Sequence, residues 1–272
     1  MQDYLNNLFK LNDKVIIITG GTGLLGRECV RAFLECGSKV VFTGRNKEKI
    51  DNFIQKLGVR FADCVLGLQS DVSKKEDVKE MVLRAKEKFG KIDILINNAG
   101  MPGNMSSETI APLFENYPKE EWDKLWDINM TGMFLCAQEV GKEMVKAGGG
   151  VIVNVSSIYG MVGPDQRIYG KVGEDRFIKP ISYSVTKGAV LNFTRYLATY
   201  WGDKNIRINT LAPGGIFNNQ DAEFVKKYEY RTPLGRMANT DDIVGPMLFL
   251  ISDASKYITG TVLVVDGGWL AW

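Results

Sequence analysis

The chain has 272 residues, 45% hydrophobic and 24% charged, with 34 basic against 32 acidic side chains and a net charge of +2. That length holds one large α/β domain or two small ones, and so even a charge balance makes no demand for nucleic acid or a membrane surface. There is no histidine, so proton transfer near neutral pH must use another group whose pKa has been moved.

The N-terminus lacks a signal-peptide pattern, and apolar runs such as Val15–Ile18 are far too short to cross a bilayer. A cytoplasmic protein with no membrane and no nucleic-acid partner is expected. Short β-branched runs at 15–19, 39–43, 65–68, 92–96, 151–155, 207–211 and 262–265 read as about seven strands. Most intervening segments have helical period, for example 24–36, 74–89 and 121–145. This alternation predicts an α/β fold, a doubly wound parallel sheet with helices on both faces. With no repeat, low-complexity tract or linker, residues 1–272 are expected to form a single domain. Two polar stretches, 163–180 and 217–236, are candidate substrate loops, lying near 160–181 and 216–237. Cys29, Cys36, Cys64 and Cys136 are scattered without metal-ligand spacing, so reduced thiols and no metal site are expected.

Residues 19–26, Thr-Gly-Gly-Thr-Gly-Leu-Leu-Gly, follow the first strand and open the first helix. In that context a glycine-rich turn binds a dinucleotide: glycines at 20, 23 and 26 supply a tight turn, bare backbone near the pyrophosphate and close helix packing. Gly20, Thr22, Gly23, Leu25 and Gly26 are therefore assigned to the cofactor. At the end of the second strand, Gly44, Arg45 and Asn46 stand where an NAD-preferring site usually offers a carboxylate to the ribose. Arg45 suits a 2′-phosphate instead, so NADP is expected over NAD, with Arg45 and Asn46 beside it. The plainer alternative for Arg45 is a solvated side chain at a strand end. Asp71 and Val72 are expected to flank the adenine, and Asp71 equally suits capping of the helix that starts near 74.

Tyr183 and Lys187 are four residues apart at the start of a helical pattern running to about 198. Residues at that spacing share a helix face. Tyr200 and Lys204 repeat the spacing, but Gly202 and Asp203 interrupt them, which reads as a solvated helix end.

These features, taken in order, resemble the short-chain dehydrogenase/reductase family in its compact Rossmann-type single-domain form. The resemblance rests on the glycine-rich turn, Asn97-Asn98-Ala99-Gly100, Asn129, the segment Asn154 to Ser157, Tyr183 with Lys187, and Pro213-Gly214. It implies an NAD(P)-dependent oxidoreductase moving a hydride between a nicotinamide and a secondary alcohol or ketone. Tyr183 would be the acid/base, its pKa of about 10 lowered by about 1 to 3 units by the Lys187 cation. Lys187 would also hold the nicotinamide ribose. Ser157 would steady the reacting oxygen, with Ser156 as its rival. Asn129 would hold a relay water, or else bond to nearby backbone. Asn98, Ala99 and Gly100 would line the cofactor, and Pro213, Gly214, Gly215 and Ile216 would meet the carboxamide.

Two features depart from the family pattern. Leu24 gives the turn a spacing similar to the longer nucleotide-sugar-modifying members, and the gap between Ser157 and Tyr183 is long. That insertion is expected to rim the substrate pocket. Arg167, Lys171, Arg176 and Lys179 from it, with Lys226, Lys227, Arg231 and Arg236 from the second loop, suggest an anionic sugar. The insertion, residues 217–220 and the tail 265–272 also resemble bacterial members linked to surface-polysaccharide or flagellin-glycan synthesis. A sugar, polyol or sugar derivative is the expected substrate. The competing readings are an inactive dinucleotide-sensing protein and a nucleotide-sugar epimerase or dehydratase. Trp269 and Trp272 suit docking on the chain's own core or pairing across subunits, and a homotetramer is expected.

Overall fold

The computed structural model describes residues 7–102, 113–169 and 178–272. Its strands are β1 (Val15–Ile18), β2 (Lys39–Gly44), β3 (Val65–Gln69), β4 (Ile94–Asn97), β5 (Gly150–Val155), β6 (Ile206–Pro213) and β7 (Val262–Val265). They form one sheet of order β3-β2-β1-β4-β5-β6-β7, every pair parallel. The chain builds outward from β1 on one side, then crosses back to start β4 on the other. Ligands enter such sheets at this switch, beyond the carboxyl ends of β1 and β4.

The helices are α1 (Leu24–Glu35), α2 (Lys47–Leu57), α3 (Lys75–Phe89), α4 (Lys119–Trp126), α5 (Gly132–Ala147), α6 (Ile181–Tyr200), α7 (Ala222–Tyr230) and α8 (Thr240–Ile251). They cover both faces, so the inner strands are apolar throughout rather than alternating. Ile16 and Ile18 pack in one layer with Phe33 of α1 and Met247 of α8. Ile17 packs in the other with Met81 of α3 and Val140 of α5. This is the doubly wound Rossmann-type architecture that the alternation of runs predicts.

Three local differences bear on the site. The helix expected over 121–145 is split into α4 and α5 by a π-turn, Asp127–Thr131, which holds buried Asn129. Such wide turns recur at functional sites because they re-aim one residue without ending the helix. The second polar loop contains α7, capped by Asp221, whose carboxylate accepts from the N–H groups of Glu223 and Phe224. Its apolar face is narrow: Phe224 meets Tyr169 at 5.2 Å, and Tyr228 stacks on Trp269 at 4.2 Å between ring centres. Trp269 is thus docked on the chain's own core, while Trp272 is exposed and donates its indole N–H to the Arg231 carbonyl. The rival pair behaves as its sequence suggests, since α6 ends at Tyr200 and Lys204 bonds neighbouring Asp203. Among the described residues, no helix is long and apolar enough to cross a membrane.

Candidate active site

The glycine turn follows from close approach. Gly20 has φ +67°, and a Cβ on it would stand 2.9 Å from the Ala99 Cα. One on Gly26 would stand 2.3 Å from the Gly20 carbonyl oxygen, inside any van der Waals contact. Thr19 Oγ1 accepts from the N–H groups of Asn98 and Ala99, and the Asn98 amide donates to the carbonyls of Thr19 and Gly20. The turn after β1 is therefore stitched to the loop after β4. No side chain caps α1, which leaves its first N–H groups and partial positive charge to meet an anion.

The cleft above this turn encloses about 460 Å³ and is lined by Gly20, Thr22, Gly23, Leu25, Gly26, Gly44, Arg45, Asp71, Val72, Asn98, Ala99 and Gly100. Bare backbone beneath, an uncapped helix end and a cation at one side fit the adenosine and pyrophosphate of a dinucleotide. Asn46 does not line this cleft. Its side chain caps α2, accepting from the Lys49 N–H at 2.9 Å. Asp71 does line the cleft but does not cap α3: its carboxylate accepts from the N–H and hydroxyl of Ser73, and the N-cap residue is Lys74.

A second cavity, about 290 Å³, shares Leu25, Asn98, Gly100, Met101 and Pro102 with the first. Ser157, Tyr183, Lys187, Pro213, Gly214, Gly215 and Ile216 line it. Tyr183 and Lys187 come from the first turns of α6. Lys187 is 6% exposed, and its Nζ donates to the Val155 carbonyl at 2.9 Å. Burial pulls its pKa down from 10.5 to about 8. Tyr183 is half-buried, and its pKa moves up, by burial first, with a hydrogen bond to Ser157 acting against that. The lowering expected from Lys187 is not what prevails. The Lys187 ammonium is held by Val155 and stands 5.8 Å from the Tyr183 ring centre.

The two serines separate by partner. Ser156 Oγ donates to the Lys187 carbonyl at 2.7 Å, tying β5 to α6. Ser157 Oγ accepts from the Tyr159 N–H at 3.2 Å and also meets Tyr183. Asn129 is not among the residues lining either cavity. Its amide donates to the Met101 carbonyl and Thr186 Oγ1, and its Oδ1 accepts from the Met101 N–H. Both amide hydrogens are engaged, and one lone pair on Oδ1 is left.

Beneath the site, Asn97 and Asn154 face each other across β4 and β5, and the Asn97 amide donates to Asn154 Oδ1 at 2.8 Å. Asn154 continues to Thr194 of α6, which also meets Thr210 of β6. This buried chain locks the strand ends carrying the Asn98 and Ser157 loops to the helix carrying Tyr183.

The described ends of the long insertion reach the cavity through Tyr169 and Lys179. Gln166 clasps them, its amide bonding both the N–H and the carbonyl of Lys179. Lys171 and Arg176 lie outside the described residues. Of the other loop cations, Arg167 and Arg231 both bond Asp165, Arg236 bonds Asp242 and Lys227 bonds Glu223. Sequence reasoning did not single out Tyr159, Tyr169, Phe224, Tyr228 and Met237, which wall the cavity. The i, i+4 pair Phe224 and Tyr228 was the available signal.

Comparisons with known proteins agree with this architecture. A family model described as enoyl-(acyl carrier protein) reductase matches residues 23–270. The 3alpha-hydroxysteroid dehydrogenase of Mediterraneibacter gnavus is 36% identical over 262 residues, 94% of this chain and 97% of that protein. A short-chain dehydrogenase from Leptospira borgpetersenii, solved with NAD+, is 34% identical with a TM-score of 0.83, over 96% of this chain and 94% of that one. A gluconate 5-dehydrogenase from Burkholderia cenocepacia, solved with NADP and tartrate, is 29% identical with a TM-score of 0.84, over 98% and 99%. The chain belongs to the short-chain dehydrogenase/reductase family and is an NAD(P)-dependent oxidoreductase acting between an alcohol and its carbonyl compound.

Proposed function

We propose that Tyr183 is the proton-transferring group of this oxidoreductase, with Ser157 and Lys187 beside it, acting on a secondary alcohol of a sugar, polyol or sugar derivative. What carries the reading is the meeting of Ser157, Tyr183 and Lys187 in one cavity that opens onto the glycine turn. When bound, the nicotinamide supplies or takes up the hydride. Tyr183 gives its phenolic proton to the carbonyl oxygen in reduction and accepts one from the alcohol in oxidation. Burial keeps that phenol protonated at neutral pH, the form reduction needs. The Ser157 hydroxyl donates to the same oxygen and stabilises its developing charge. Lys187 holds the cofactor ribose, and Pro213, Gly214, Gly215 and Ile216 wall the nicotinamide.

Asn129 serves through its remaining lone pair. A Cβ on Gly100 would lie 3.4 Å from Lys187 Nζ and 3.5 Å from Asn129 Oδ1, so the bare glycine leaves both polar atoms facing one small space. In this reading a relay water joins the two atoms.

NADP is the preferred cofactor. A side chain at Gly44 would press on Thr22, with its Cβ 2.8 Å from Thr22 Oγ1, so a ribose-binding carboxylate there would have to displace the threonine. Arg45 lines the cleft next to that point and suits a 2′-phosphate. Residues 1–272 act as one catalytic domain, with substrate loops near 160–181 and 216–237. The gluconate 5-dehydrogenase solved with tartrate supports a polyhydroxylated substrate. The four free cysteines suit the cytoplasm. Exposed Trp126, Phe134, Tyr196 and Tyr200 on α4, α5 and α6 suit self-association into a homotetramer, which light scattering tests.

The test is a panel of polyols, sugars and sugar acids read by nicotinamide absorbance with each cofactor. Tyr183→Phe is expected to lower turnover by about 10²- to 10⁴-fold. Unchanged turnover removes Tyr183 from the chemistry, and a lower KM for NAD removes the reading of Arg45.

A further inference from the structure

Besides the reacting groups, the substrate cavity has an aromatic wall to which the chemistry assigns nothing. Tyr169 and Phe224, which both line it, meet at 5.2 Å between ring centres with their planes 38° apart. Phe224 meets Tyr228 at 5.9 Å and 41°, and Tyr228 stacks on Trp269 at 4.2 Å. The rings come from the insertion, α7 and the C-terminal tail, so distant segments build one continuous aromatic surface. It is firmly backed: Tyr228 and Trp269 are buried, and the Tyr228 hydroxyl accepts from the Gly215 N–H. Phe224 itself is only partly buried, which leaves part of its ring to the cavity.

The polar side chains around this wall are committed to the fold. The Gln220 amide donates to the Ile216 carbonyl and accepts from the Asn218 N–H. Ser156 bonds the Lys187 carbonyl, and the hydroxyls of Tyr169 and Tyr159 bond each other at 3.0 Å. Among the described residues, no aspartate or glutamate lines the cavity. An open-chain polyol would have to freeze its torsions against a surface with few groups to read its hydroxyls one by one. A ring arrives with its torsions fixed and with a C–H face that packs on an aromatic plane.

We propose that Phe224, supported by Tyr169 and Tyr228, is a specificity-determining residue that packs on a ring of the substrate. The alcohol carbon that reacts then belongs to that ring, as in a pyranose or a cyclitol, rather than to an open chain. This rests on the reading of Tyr183 and Ser157 as the groups that meet the reacting oxygen.

The test compares a cyclitol, myo-inositol, and a pyranose, 1,5-anhydroglucitol, with open-chain glucitol. Each is titrated calorimetrically into the protein saturated with oxidised NADP. The intact chain is expected to bind at least one ring about ten-fold or more tightly than glucitol, from stacking and preorganisation together. Phe224→Leu, which keeps apolar bulk but removes the ring, should lower that preference by about two- to ten-fold and leave glucitol binding little changed. Phe224→Tyr should keep it, with cofactor affinity reporting that both variants fold. An intact chain that binds neither ring more tightly than glucitol overturns the proposal, and so does a preference unchanged in Phe224→Leu. Binding needs no turnover, so the two readings fail separately. A ring preference that depends on Phe224 where Tyr183→Phe keeps full turnover sinks the catalytic reading and leaves the packing. Lost turnover in Tyr183→Phe beside an intact chain with no ring preference sinks the packing alone.

Discussion

The two buried lysines make the stability of the fold depend on pH in a direction that can be worked out. Lys179 and Lys187 ordinarily titrate near 10.5, but burial holds them at about 7 and about 8. Below those values the folded state carries the full disadvantage of two buried ammonium groups, about 5 kcal/mol for Lys179 and about 3 kcal/mol for Lys187. As pH rises through the lowered values, the folded chain releases protons that the unfolded chain keeps until near 10.5, so stability rises. Between about pH 6.5 and 8.5 the gain is about 3 kcal/mol, with about 2 kcal/mol from Lys179. Opposing groups weigh little in this window: Cys29 and Cys136, pushed up from 9.0 to about 12, and the buried tyrosines lower stability mainly above pH 9. Asp242, held at about 2, stays ionised throughout. Urea unfolding at constant ionic strength measures this from the midpoint and slope. Lys179→Met should shrink the gain to about 1 kcal/mol, the part that Lys187 contributes. A parent chain whose stability is flat or falling over that window, or a variant with the parent's full slope, refutes the reasoning.

Two further outcomes follow from the cradle and the serine pair. Gly26→Ala places a methyl 2.3 Å from the Gly20 carbonyl oxygen, so the turn must shift. A loss of about 1–3 kcal/mol in stability and weaker cofactor binding are expected, while Gly23→Ala, with a nearest contact of 3.2 Å, should change both less. Fluorescence titration with NADPH and unfolding curves of the two variants decide it. Ser157→Ala should lower turnover by about 10²-fold with little change in stability, whereas Ser156→Ala, which removes the bond tying β5 to the Lys187 carbonyl of α6, should cost about 0.5–1.5 kcal/mol of stability. Comparing kcat and urea midpoints for the pair checks the division, and the reverse pattern would exchange their roles.

Much of the fold was legible along the chain because strands and helices are set by local patterns. β1 reads as a strand from four consecutive β-branched residues and α6 as a helix from its spacing, so Tyr183 and Lys187 shared a face before any tertiary contact was known. The helix α7 was hidden because its apolar face, Phe224 and Tyr228, is narrow and acquires meaning only against Tyr169 and Trp269. The π-turn at Asn129 was hidden because one extra residue per turn leaves no mark in composition.

The sequence by itself determined the alternation of strand and helix, the glycine turn opening α1 and the face shared by Tyr183 and Lys187. Each is a matter of neighbours within a few residues. Only the tertiary structure decided that Ser156 bonds the helix while Ser157 meets the phenol, that Asn46 caps α2 rather than lining the cleft, and that burial raises the Tyr183 pKa. It also showed that carboxylates hold Arg167, Lys227, Arg231 and Arg236. The physical reason is the same throughout: partner, burial and field at a side chain come from segments far apart in the chain, brought together by the crossover that sets β4 beside β1.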